Sequence, residues 1–300
     1  MAPSHSVVAP GNYDGVHVGH RALLETAREE ARDAERVTVL TFDPHPSKVL
    51  APLRAPALLT TIERRATLLR RAGADAVEVA RFDADFASQS PEAFIEEVLR
   101  GRLAARAIVA GPNWRFGKRR AGTADTLREA GLVVREVSPI ELDGGVVSST
   151  RIREALHEGR VEDATRWLGR VHDVGGKVVL GDQRGRTIGF PTANLACEDV
   201  LLPADGVYAV VARTDGGDLL RGVANLGVRP TMDAGRSVEA HFFDFEGDLY
   251  DRTLRLGFVS RIRAERRFDG LDALKAQIAN DARQARSDLE VASAQSFAEL

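Results

Sequence analysis

Three hundred residues exceed what one compact core usually carries, so two domains are expected. Hydrophobic residues at 44% and charged residues at 28% exclude wholesale disorder. Lys+Arg 41 against Asp+Glu 44 leaves a net charge of −3, with no basic excess for a non-specific nucleic-acid binder. Lysine occurs only at Lys48, Lys118, Lys177 and Lys275, so nearly every cation is arginine, a bias that GC-rich coding accounts for. The single cysteine, Cys197, cannot form an intramolecular disulfide and sits in no nucleophile pattern. The start MAPSHSVVAPGN lacks the basic and apolar regions of a signal peptide, and no apolar run approaches the ~20 residues of a membrane span. The expected location is cytoplasmic, with no membrane partner.

In chain order, strands are expected at Ser6–Ala9, Val37–Phe42, Ala76–Ala80, Ala107–Ala110 and Leu132–Val137. Helical periodicity begins near His17, Ile62, Pro91 and Ala124. Ser90-Pro91 suits a helix start, and Gly73, Gly101 and Gly131 suit helix stops. Strands alternating with helices imply an α/β doubly wound parallel sheet. Ligands in such sheets bind beyond the carboxyl ends of the strands. Four unusual segments fall there: GNYDGVHVGH (Gly11–His20), DPHP (Asp43–Pro46), GPNWRFG (Gly111–Gly117) and VSSTRIR (Val147–Arg153).

His17 and His20, three residues apart at a helix start, can face one side. Gly15 and Gly19 admit a close approach by backbone or phosphate, and exposed helix-terminal N–H groups suit a polyphosphate. Alone, the pair also suits two solvated histidines beside a turn. With Asp14 before it and VSSTRIR on the same edge, phosphate binding is the reading taken. No third ligand at metal spacing is present. Ser149, Thr150 and Arg153 offer hydroxyls, N–H groups and a guanidinium to phosphates, or form an ordinary cap cluster. His45, between two prolines, is held in an extended loop or buried in a turn.

After the helix-rich stretch Thr150–Leu168 the texture becomes hairpin-like, and the domain boundary is placed near Gly169–Gly175, giving domains of 1–170 and 171–300. Strands are expected at Lys177–Leu180, Gly206–Arg213, Leu219–Ala224, Ser237–Phe245 and Thr253–Val259, with a turn at Thr214-Asp215-Gly216-Gly217. Leu271, Leu274, Ile278 and Ala282 share one face of a closing amphipathic helix that would pack on a sheet. The densest motif is GDQRGRTIGFPTANL (Gly181–Leu195). Its Gly185, Arg186 and Gly189 suit a phosphate-covering loop or a long hairpin loop. Thr192 and Asn194 present a hydroxyl and a carboxamide on one face if extended, enough for Mg²⁺, which takes one or two protein oxygens; buried turn-formers are the other reading. Glu239, His241 and Phe243 alternate with Val238, Ala240 and Phe242, and a carboxylate on a strand invites a role or lies on a solvated face.

Together these segments resemble the bacterial bifunctional riboflavin kinase/FAD synthetases. GNYDGVHVGH, TFDPHP, GPNWRFG and VSSTRIR look like the FMN adenylyltransferase module, an H-x-G-H nucleotidyltransferase with a Rossmann-like fold. GRTIGFPTANL, LPADGVYAV, GVANLGVRPT, VEAHFFDFEGDLY and ERRFDGLDALKAQI look like the riboflavin kinase module, an antiparallel six-stranded barrel with a C-terminal helix. The resemblance implies that His17 and His20, with Gly11, Asp14, Gly19 and Asn113, hold ATP. Ser149, Thr150 and Arg153 would contact the leaving pyrophosphate. In the kinase module it implies ATP–Mg²⁺ at Thr192 and Asn194, phosphates under the Gly185–Gly189 loop with Arg186, and Glu239 as general base. Asn225 and Arg229 would border the flavin. Riboflavin, FMN and FAD are then substrates and products, and the partners are small molecules, not nucleic acid. The sequence leaves the oligomeric state open between a monomer and a weak homo-oligomer.

Competing readings are a kinase with a degenerate adenylyltransferase module, a nucleic-acid-handling H-x-G-H relative, and a flavin-binding regulator without turnover. Departures from the family pattern are few. Tyr13 replaces a usual Phe, Pro112 and Thr123 replace positions often acidic, and Asp251 stands where Gly is common.

Overall fold

A computed structural model describes residues 5–180, 190–228, 236–292 and 294–300. The chain forms two compact units, 1–148 and 149–300.

The first unit is a five-stranded parallel sheet of β1 (Ser6–Pro10), β2 (Arg36–Asp43), β3 (Ala76–Arg81), β4 (Ala105–Ala110) and β5 (Val133–Glu136), ordered β3-β2-β1-β4-β5. Strict alternation splits its strands between two cores. Val7, Ala9, Val37, Val39, Ala107 and Val109 pack on Leu24 and Ala27 of α1 (Val18–Glu30), and on Leu68 and Leu69 of α3 (Ile62–Arg71). The intervening residues Val8, Leu40, Phe42 and Ile108 pack on the opposite side against Phe94, Ile95, Val98 and Leu99. Each such fully buried aliphatic side chain is worth roughly 1.5–3 kcal/mol. The remaining helices are α2 (Pro46–Leu50), α4 (Ala84–Ser88), α5 (Pro91–Ala93) and α6 (Ala124–Glu129), and α5 continues as a wider helix over Phe94–Arg102. A two-stranded hairpin, β6 (Glu141–Leu142) with β7 (Gly145–Val146), closes the unit on the two-residue turn Asp143-Gly144, at φ 51° and 74°, a turn not among those expected above.

Gly73 and Gly131 follow α3 and α6 at φ 104° and 80°, the helix stops expected of them. Gly101 does not stop a helix. The segment runs on to Arg102, Leu103 N–H bonds back to Val98 at 3.0 Å, and the turn out is made by Ala104 at φ 48°. Thr123, one of the departures, accepts the backbone N–H of Thr126 and so caps α6 as an acidic residue would.

The second unit opens with α7 (Ser149–His157) and α8 (Val161–Leu168), the latter ended by Gly169 in the left-handed region. Six antiparallel strands follow: β8 (His172–Val179), β9 (Ala193–Cys197), β10 (Gly206–Thr214), β11 (Leu219–Val228), β12 (Arg236–Phe242) and β13 (Thr253–Arg263). They close into a barrel in the order β10-β11-β12-β9-β8-β13. The β10–β11 hairpin turns at Thr214–Gly217 as expected, with Gly217 N–H to Thr214 O at 2.9 Å. Asp251 adopts φ 61°, keeping the turn that glycine would make, and pairs with Lys177 at 2.9 Å. Strand β9 is one the sequence does not announce. The closing helix, α9 (Leu271–Val291), buries Ala285 and Leu289 against Ala209, Val211 and Val223 of the barrel. The expected packing face is therefore displaced. Leu271 is exposed, while Leu274 and Ile278 are half-buried and border a cavity. No helix among the described residues is long and apolar enough to cross a membrane.

Candidate active sites

In the first unit the Gly11–His20 segment leaves β1 and enters α1. His17 is the N-cap and His20 the third helical residue, and the two cap each other. His17 Nδ1 accepts the His20 N–H, and His20 Nδ1 accepts the His17 N–H, both at 3.3 Å. The rings stack at 3.6 Å and 15°. With both Nδ1 atoms accepting, the neutral tautomer of each ring carries its proton on Nε2, a donor suited to phosphate oxygen.

Asp14 is 1% exposed and turned inward. Its carboxylate accepts the N–H groups of Leu59 (3.0 Å) and Thr60 (3.1 Å), and pairs with the buried Arg65 at 3.3 Å. It fixes the loop that delivers the histidines. The room left by two glycines is taken by the motif's own rings. A Cβ on Gly19 would meet the His17 ring at 3.2 Å, and one on Gly11 would meet the Tyr13 ring at 3.0 Å. Tyr13 is fully buried, its ring 5.0 Å from that of His20, and its hydroxyl has no hydrogen-bond partner among the described residues. Burial pushes its ionisation well above the usual phenol range. His45 lies at a helix start, not in an extended loop: its Nδ1 accepts the Ser47 N–H at 3.2 Å and caps α2.

A cavity of about 840 Å³ runs from Gly11 and Asn12 past Asn113 to Arg120. Its wall is aromatic. Trp114 stacks on Phe116 at 4.9 Å, Phe116 touches Phe94 at 5.2 Å, and Phe86 and Phe82 continue the row. Gly11 and Asn113 thus share a cavity whose walls do not include His17 or His20. The aromatic wall is missed by sequence reasoning, because its members come from separate segments.

Ser149, Thr150 and Arg153 occupy the first turns of α7, in the second unit.

On the barrel, Asn194, Glu239 and Asn225 are register partners across β9, β12 and β11. Partners directly opposite present their side chains on one face, so the three stand in a row. Val238, Ala240 and Phe242 point to the other side and are buried, as the alternation requires. Thr192, Asn225, Glu239 and His241 border a cavity of about 350 Å³ that Phe268, Leu274 and Ile278 complete. Asn194, beside Glu239 in this row, is 5% exposed. His241 is held by its Nδ1 at 2.9 Å from Pro191 O, which ties β12 to the segment carrying Thr192. No group of three His, Cys, Asp or Glu among the described residues could hold a metal alone. The Cys197 thiol is pushed up to about 11, chiefly by burial and then by Glu198, so it is no nucleophile. Gly185, Arg186, Gly189 and Arg229 lie outside the described residues.

The sequence model of the FAD synthetase family matches residues 1–151, and that of riboflavin kinase matches residues 168–289. The Bifunctional riboflavin kinase/FMN adenylyltransferase of Escherichia coli (strain K12) is 41% identical over 286 residues, 93% of this chain and 91% of that protein. The chain belongs to the bifunctional riboflavin kinase/FMN adenylyltransferase family. A second relative of that name, from Bacillus subtilis (strain 168), is 37% identical over 292 residues, 93% of this chain and 91% of its own. A crystal structure titled as a macrolide-efflux protein from Streptococcus pneumoniae superposes with a TM-score of 0.87 at 35% identity, covering 95% of each chain. The resemblance drawn from the motifs, the parallel sheet and the six-stranded barrel all agree with this membership.

Proposed function

We propose that each unit carries one step of FAD synthesis, at the two sites described. The chain phosphorylates riboflavin with ATP to give FMN, then adenylylates FMN with a second ATP to give FAD and pyrophosphate. The observation that carries the assignment of residues is the row Asn194–Glu239–Asn225 beside an apolar-lined cavity.

In the kinase step, the terminal ribityl hydroxyl attacks the γ-phosphorus of ATP, its proton passes to Glu239, and ADP leaves. Glu239 fits a base because no cation among the described residues pairs with it and its carboxylate borders the cavity. The flavin ring lies along Phe268, Leu274 and Ile278, which explains why that stripe of α9 faces a cavity instead of the core. Thr192 and Asn194 are hard oxygen ligands beside a carboxylate, a donor set that fits Mg²⁺ with phosphates and water filling its shell. Bound there, Mg²⁺ would neutralise phosphate charge. The Gly185–Gly189 loop, Arg186 and Arg229 rest on resemblance alone.

In the adenylyl step, the FMN phosphate attacks the α-phosphorus, and the bond to the β-phosphate oxygen breaks. No side chain need form a covalent bond, so positioning and charge neutralisation do the chemistry. His17 and His20 donate from Nε2 to the ATP phosphates, while Asp14 holds their loop. Gly11 and Asn113 border the cavity whose aromatic wall takes the isoalloxazine. For Ser149, Thr150 and Arg153, contact with pyrophosphate rests on the VSSTRIR resemblance alone. The partners are small molecules, the location cytoplasmic, and the working form a monomer or weak homo-oligomer. Incubation with riboflavin, ATP and Mg²⁺, separating FMN from FAD over time, tests the reading; absence of either product overturns it.

A further inference from the structure

Several arginines of the first unit are held by carboxylates. Arg28, Arg65, Arg100, Arg102, Arg106, Arg128 and Arg135 all pair with carboxylates. Four other cations gather at one place. Arg115, Lys118, Arg119 and Arg120 border the 840 Å³ cavity and ion-pair with no carboxylate among the described residues. Arg115 reaches only the backbone carbonyls of Trp114 (2.9 Å) and Pro112 (3.4 Å). Four cations left without counter-charge beside an aromatic wall suit a ligand that is both aromatic and anionic.

The backbone under these cations is unusual. Arg119 and Arg120 have φ of 57° and 60°, two consecutive non-glycine residues in the left-handed region. The turn is pinned on every side. Lys118 N–H donates to Gln89 O at 2.7 Å, Arg120 N–H to Gly117 O at 3.0 Å, and Phe116 and Gly122 exchange backbone bonds at 3.2 and 2.9 Å. Gly117, at φ 69°, lies so close to Pro91 that a Cβ there would approach its nitrogen to 2.8 Å. A strained backbone held this firmly aims side chains before any ligand arrives, which reduces the ordering cost of binding.

We infer that the Lys118–Arg120 turn is a phosphate clamp, through which the adenylyltransferase cavity selects the phosphate monoester FMN over neutral riboflavin. The inference rests on the reading of this cavity as the flavin site. It assigns specificity to the rim, because the aromatic wall contacts FMN and riboflavin alike. The only chemical difference between the two flavins is a dianionic phosphate, and the rim supplies four cations to meet it.

The test uses the full chain with Arg119→Asn and Arg120→Asn combined. Asparagine tolerates the left-handed region, so the variant removes both cations without disturbing the turn. FAD formation is measured against FMN, against ATP, and with riboflavin as a competing inhibitor. The expected result is a KM for FMN raised by about tenfold or more. The riboflavin inhibition constant, the KM for ATP, the rate of FMN formation and the melting temperature stay as in the parent. An inhibition constant rising in step with the KM would mean that the turn reads the ring. A raised KM for ATP would mean that it holds the nucleotide. Either result, or an unchanged KM for FMN, overturns the clamp. Trp114→Ala separates the two levels: if it leaves both the KM for FMN and riboflavin inhibition untouched, the flavin reading of the cavity itself fails.

Discussion

His17 and His20 hold each other in place: each Nδ1 accepts the other's backbone N–H at 3.3 Å, and the rings lie face to face 3.6 Å apart. The same four atoms that start α1 therefore fix the direction of both Nε2 donors. Capping and chemistry can be pulled apart. Asn is a strong N-cap and Gln serves at the third position of a capping box. The variant His17→Asn/His20→Gln should keep its melting temperature while FAD formation falls by about 100-fold or more. A large fall in stability with normal FAD formation would reverse the roles assigned.

Asp14 gives the loop its rigidity. Its carboxylate is buried against Arg65 and the Leu59 and Thr60 amides. In Asp14→Asn the Arg65 guanidinium loses its counter-charge while still buried, a change worth about 3 kcal/mol. Chemical denaturation should show that loss in the first unit. FMN formation by the barrel should be untouched, and an undiminished first-unit transition would refute the role given to Asp14 in fixing the loop.

Acid should weaken the first unit through Glu35. Hydrogen bonds from Arg106 hold its carboxyl at about 2, against an ordinary 4.5, and Glu30 is lowered by Arg135 and Arg106. A depressed folded-state value stabilises above the ordinary value and is lost as pH falls towards the folded one. The gap in melting temperature between the parent and Glu35→Gln should therefore be largest above pH 4.5 and shrink towards pH 2. A gap independent of pH would show that the Arg106 pair is not what depresses Glu35.

Tyr13 buries a hydroxyl with no hydrogen-bond partner among the described residues. An unsatisfied buried polar group costs roughly 1–3 kcal/mol, so Tyr13→Phe should raise first-unit stability by about 1 kcal/mol. Calorimetry reading a lower melting temperature would mean that the hydroxyl is paired.

Much of this was legible in sequence for physical reasons. The near-continuous apolar runs Val7–Ala9, Val37–Leu40 and Ala107–Val109 require a sheet with two buried faces, and that is the observed core. The motif loops fall after strands because βαβ crossovers put them there. Other features were illegible. Periodicity in Leu274 and Ile278 marks a face that avoids water, but it cannot say whether core or cavity receives it. Ala193–Cys197 becomes a strand only because β8 and β12 flank it. The aromatic wall draws on residues from Phe82 to Phe116, adjacent only once folded. Asp14 reads as a ligand in the motif, yet its partners at Leu59, Thr60 and Arg65 are distant in sequence.

One measurement bears on the central claim most directly. The parent chain, His17→Asn/His20→Gln and Glu239→Gln are each incubated with ATP and Mg²⁺, once with riboflavin and once with FMN, and the flavins are separated over time. The parent should pass riboflavin through FMN to FAD. The histidine variant should accumulate FMN without FAD, while Glu239→Gln should leave riboflavin unchanged, its kinase rate down by about 100-fold or more, yet convert supplied FMN to FAD. A folded variant that loses both activities, or neither, would contradict the assignment of one step to each unit.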